Sequence, residues 1–249
     1  MKMTAKAKAQ HIFYELKAHA PFTLLGAVLG IAFMLIFRNA TQKGLWGLFA
    51  LFHPAHVVLS AMVTASMFKL RSKRTHIITI LLVGYFGSVG IATLSDIIIP
   101  HFGAEVFGLN IPPEAEIHHH MENAGSADEI HDGPTPHSER IHFGFIEEWY
   151  LVNPAAFLGI FIAYFWPHTK FPHAGHILIS TWASAAYLMM DMGTAIGFAS
   201  AASVFITLFL SVWLPCCLGD IVFPLLFIKS DVALTGSCPV CGKGGHMHL

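Results

Sequence analysis

LWGLFALFHPAHVVLSAMVTASMF, residues 45–68, runs for 24 residues without an Asp, Glu, Lys or Arg. About 20 apolar residues carry an α-helix across the hydrocarbon of a bilayer, where a helix satisfies its own backbone hydrogen bonds. A soluble helix of this length would carry a charged face. The stretch therefore reads as a transmembrane helix. His53, His56 and Ser60 are spaced three and four residues apart and so share one stripe of it. Pro54 loosens the hydrogen-bond ladder between the two imidazoles.

The rest of the chain extends this reading. Over 249 residues it is 55% hydrophobic and 12% charged, with a mean hydropathy of +0.61, which lies outside the range of globular domains and makes lipid the natural solvent. Further apolar runs lie at about 21–38, 76–100, 146–166, 175–192 and 194–228. The last is too long for one straight crossing and too short for two. It contains Pro215, Gly219 and Pro224, so a kink or break is expected there. The short alternating strands of a membrane barrel are absent. The expected fold is all-α, a polytopic transmembrane helical bundle of about six helices. No internal repeat is read at this level.

The expected organisation has five parts. Residues 1–20 form a cytoplasmic amphipathic segment, 21–100 the first three transmembrane helices, 101–145 an extracytoplasmic His-rich acidic loop, 146–229 three more helices, and 230–249 a cytoplasmic Cys/His tail. With six crossings, the N-terminal lysines, the Lys69/Arg71/Lys73/Arg74 cluster, Lys170, Lys229 and Lys243 all fall on one side. Short cytoplasmic loops collect such charge, so both termini are placed in the cytoplasm. Arg38 and Lys43 form a weaker cluster on the other side. The expected location is the plasma membrane of a bacterium or archaeon. The expected partners are the bilayer, metal ions, and a second copy or a larger membrane complex. A net charge of -1 gives no basic footprint for nucleic acid, and neither GxxxxGK[ST] nor GxGxxG occurs in the chain.

Seventeen histidines direct attention to metal ions, because a neutral imidazole is the commonest metal ligand. Ionisable residues inside a membrane are expensive and mark functional sites by default. Asp96 in the third helix and Asp191 at the end of the fifth are therefore grouped with His53 and His56 as a divalent-metal site reached from outside. His101 lies just past the third helix. The loop carries His118, His119 and His120 among Glu114, Glu116 and Glu122, a tract suited to gathering cations. Cys216, Cys217 and Asp220 in the last apolar region are weaker candidates, since a buried cysteine is also an ordinary packing residue. Glu147 and Glu148 are explained by the preference for acids in a helix's first turn. His173 and His176 are read as lying at the cytoplasmic edge of the fifth helix.

The tail CPVCGKGGHMH brings Cys238, Cys241, His246 and His248 within eleven residues, a knuckle with four ligands whose natural ion is zinc. The functional expectation is a divalent transition-metal transporter or permease. The alternatives are a membrane-embedded metal-dependent hydrolase or oxidoreductase acting on a lipid-soluble substrate, and a non-catalytic subunit of a membrane complex.

Overall fold

In the computed structural model the described residues are 5–72, 76–109, 146, 148–168, 170–192, 198–219 and 223–227. Among them there is no strand. Helix α1 spans Ala5–Ile36, α2 Gln42–Arg71, α3 Ile77–Thr93, α4 Ile99–Val106, α5 Trp149–Phe165, α6 Lys170–Met192, α7 Phe198–Cys217 and α8 Phe223–Leu226. A π-helical turn, Leu94–Ile98, joins α3 to α4 without a break. Three segments are long and apolar enough to cross a membrane: His19–Ile36, Gln42–Leu70 and Ile77–Val106. Trp149–Phe165 and Ser200–Cys216 are shorter apolar helices.

Several boundaries differ from the sequence expectation for identifiable reasons. The amphipathic segment is continuous with the first apolar run, and Pro21 sits inside α1 at the loss of a single ladder bond. The third rod continues through α4 to Val106, so the start of the expected 101–145 loop is helical. The largest change concerns α6, which begins at Lys170. Pro172 falls in its first turn, where a missing N–H has no intrahelical partner to lose. Residues 170–175, ahead of the expected start of the fifth helix, are therefore helical.

Large apolar side chains lie on the outside of the bundle as well as in its core, and a polar group is enclosed within. Leu25, Val28, Phe86, Phe157, Phe161 and Phe165 are exposed, while His53, His56, Asp96, His176, Ser180 and Ser184 are buried. An apolar exterior with polar groups paired inside is the arrangement expected of a helical bundle in lipid. Small residues bring the helices close, as they do where burial in lipid supplies no drive to associate. A Cβ on Gly159 of α5 would stand 2.3 Å from the Val58 carbonyl oxygen of α2, so this contact admits only glycine.

The centre of the bundle is the antiparallel pair α2 and α6. Gln42 at the start of α2 donates to the Met190 carbonyl near the end of α6 (3.4 Å), while Leu59 packs on Gly175 near the α6 start. Around this pair, α1 docks on α6 and α7, and α5 docks on α2 and α3. Thr41 starts α2 by accepting the Gly44 N–H on its hydroxyl (3.2 Å).

Candidate metal centre

The centre is assembled where α2 faces the π turn. His53 and His56 project from one side of α2, and both Nδ1 atoms meet the same oxygen of Asp96, at 2.9 and 2.7 Å. An ionised carboxylate only accepts, so each imidazole donates its Nδ1–H, and in the neutral ring that tautomer leaves Nε2 bare. The other Asp96 oxygen accepts from Ser95 (2.7 Å) and from Ser180 of α6 (3.0 Å). All four bonds lie in the interior, and Asp96, His53 and His56 have no exposed surface.

Pro100 explains why the backbone widens here. Its nitrogen has no hydrogen to give the carbonyl four residues earlier, that of Asp96, and its ring crowds that carbonyl. The ladder responds with a π turn in which the Ile99 N–H reaches back to the Leu94 carbonyl. The turn carries Ser95 and Asp96 inward, and the freed Ser95 carbonyl accepts the Ser184 hydroxyl at 3.0 Å.

Neither His53 Nε2 nor His56 Nε2 has a hydrogen-bond partner among the described residues, although both are fully buried. Leaving such an atom unmet costs about 1–3 kcal/mol, so two of them a helical turn apart call for an occupant. For His56 the surroundings supply one. His56, His176 of α6 and Cys216 of α7 are all buried and offer ligand atoms within 4.8 Å of one another. The His56 and His176 rings meet edge to face at 4.7 Å between centroids. Donors around a tetrahedral ion stand about 3.5 Å apart, so rotamer adjustments of about 1 Å close the set. Cys216 is buried beside the two imidazoles and would bind as thiolate. Two imidazoles and a thiolate suit zinc, cobalt, nickel, iron or copper.

This is the pattern of a histidine ligand held by a carboxylate behind it, which fixes the ring and raises its basicity. Asp96, grouped with the histidines by sequence, is thus placed with its oxygens on their Nδ1 atoms. His53 lies flat against Phe49 (5.0 Å, 9°), and the buried Glu148 carboxylate is within its electrostatic reach. Beyond His176 the imidazoles continue: His173 lies 5.8 Å from it and meets His19 of α1 at 4.8 Å.

The other sequence candidates fall into two groups. Asp191 pairs with His101 at 2.9 Å, both partly exposed, and these two form a separate contact between α6 and α4. Asp220, His118, His119, His120, Cys238, Cys241, His246 and His248 lie outside the described residues, as does the Cys217 side chain. His176 is a candidate ligand that sequence reasoning placed at a helix edge. It is fully buried against His56, and the available signal was its spacing to His173 and Ser180, which matches that of His56 to His53 and Ser60. Comparison of the chain with protein-family models, with curated proteins and with solved structures finds no significant match.

Proposed function

We propose that the chain is a membrane transporter of a divalent transition-metal ion, bound at His56, His176 and Cys216, with His53 beside it and Asp96 orienting both α2 imidazoles. One observation carries the reading: two buried imidazoles anchored through Nδ1 on a single carboxylate, one of them converging with a second imidazole and a thiol. Helix packing alone does not call for bare Nε2 atoms at the centre of an apolar bundle. In this reading the segment 101–145 gathers the cation outside, and the Cys238/Cys241/His246/His248 tail receives it in the cytoplasm, with zinc as its natural ion. The Lys and Arg distribution supports that orientation.

A second reading has one specific support. Three protein ligands leave a fourth position for water, as in catalytic zinc sites, so a metal-dependent enzyme acting on a lipid-soluble substrate is the alternative.

The test is elemental analysis of purified protein beside His176→Ala, Cys216→Ser, and the tail variant Cys238→Ser/Cys241→Ser, followed by uptake of the retained element into proteoliposomes. Loss of one metal equivalent in each bundle variant, with the tail variant keeping it, supports the site. Metal-dependent uptake then favours transport over catalysis. A bundle holding the same metal after His176→Ala and Cys216→Ser would remove the centre.

A further inference from the structure

The two central helices carry the same message. HPAHVVLSAMVTA at 53–65 and HAGHILISTWASA at 173–185 align without a gap at an offset of 120 residues. His53 matches His173, His56 matches His176, Ser60 matches Ser180, and Thr64 matches Ser184. The same offset carries Asp96 onto Cys216. The match is confined to α2 and α6, while the flanking helices share little beyond apolar character.

The packing follows the same relation. The first helix of each half docks on the other half, α1 on α6 and α7, α5 on α2 and α3. The piece after each π turn does likewise: α4 packs on α6 and α7, and α8 on α2 and α3. α7 also passes into π geometry, at Leu218 and Gly219, close to the position equivalent to Leu94–Ile98. Because α2 and α6 are antiparallel, the halves are inverted, and the matched residues His56 and His176 touch at the axis between them.

One feature breaks the symmetry. Ser180 and Ser184 of α6 are docked on the first π turn, through the Asp96 carboxylate and the Ser95 carbonyl. Their counterparts Ser60 and Thr64 are fully buried, yet their hydroxyls have no partner among the described residues. Thr23, Thr93, Thr181 and Ser211 in the same bundle donate to carbonyls three or four residues back, and Ser184 shares its one hydrogen between the Ser95 and Ser180 carbonyls. Ser60 and Thr64 do not. By symmetry their acceptors are the Cys216 sulfur and the Pro215 carbonyl.

We propose that the chain is two inverted copies of one helical unit with the metal site at their interface, and that the structure is one of two mirror-related states. In the other state Ser60 and Thr64 dock on the α7 turn while Ser180 and Ser184 leave the α3 turn, so that the His56/His176 site opens to the opposite side. Inverted units rocking about a central site are a general route to alternating access. This inference rests on the transport reading and specifies its conformational step.

The experiment compares Ser60→Ala/Thr64→Val with Ser180→Ala/Ser184→Ala in the full-length protein, using zinc or cobalt as probe. Melting temperature, equilibrium metal binding and proteoliposome uptake are measured for each. The first pair removes hydroxyls unbonded in this state, so binding should hold and melting temperature should hold or rise while uptake falls about ten-fold or more, the effect of losing one or two hydrogen bonds from the second state. The mirror pair removes bonds present here and should lower the melting temperature. Unchanged uptake in Ser60→Ala/Thr64→Val, or equal thermal destabilisation by both pairs, overturns the two-state proposal while a metal-loaded, transporting wild type leaves the site reading standing. A wild type that binds no metal in the bundle overturns both.

Discussion

Asp96→Asn probes the centre through a residue that need not touch the metal. The carboxylate meets two imidazole Nδ1 atoms through one oxygen, at 2.9 and 2.7 Å, and two serine hydroxyls through the other. The amide keeps one acceptor and turns the second into a donor. With its nitrogen toward the histidines, both rings must present a bare Nδ1 and carry their protons on Nε2, where they block ligation. With its oxygen toward them the tautomers survive, but a neutral acceptor replaces an anion and the ligands become less basic. Either placement removes outer-shell support, an effect of about 10–100-fold in metal affinity, or about 1.4–2.8 kcal/mol. The assay is a competition titration with cobalt in detergent, read by the thiolate-to-metal charge-transfer band that Cys216 supplies. Unchanged affinity would refute the orienting role. A loss as complete as that of His56→Ala would refute it differently, by making Asp96 a ligand.

Two further outcomes follow from the same geometry. Metal affinity should weaken steadily as pH falls from about 7.5 to about 5.5, because protons compete with the metal for the imidazole nitrogens and the thiolate; a pH-independent titration would argue against these ligands. Gly159→Leu should destabilise the bundle by about 1–3 kcal/mol, since even a Cβ meets the Val58 carbonyl at 2.3 Å, and a thermal unfolding midpoint equal to wild type would contradict that contact.

Much of this protein was legible in residues 45–68 and their like. Long uncharged runs admit only helices in lipid, so the all-helical class, the long apolar segments and the inward stripe of His53 and His56 follow from periodicity and the bilayer alone. Asp96 was legible as a partner because an intramembrane carboxylate must find one. Its contact with both Nδ1 atoms at once was not, since that depends on the π turn at Leu94–Ile98 and on Ser180 arriving from a helix 84 residues away. His176 was placed at a helix edge because the apolar run begins at about 175, whereas α6 begins at Lys170 with Pro172 in its first turn. Cys216 gains weight as a candidate ligand only through the placement of α7, which brings it to His56 and His176. Spacing along one helix determines which side chains share a face. Which faces meet is decided by close helix contacts such as Gly159 against Val58, and these depend on backbone shape summed over the whole bundle.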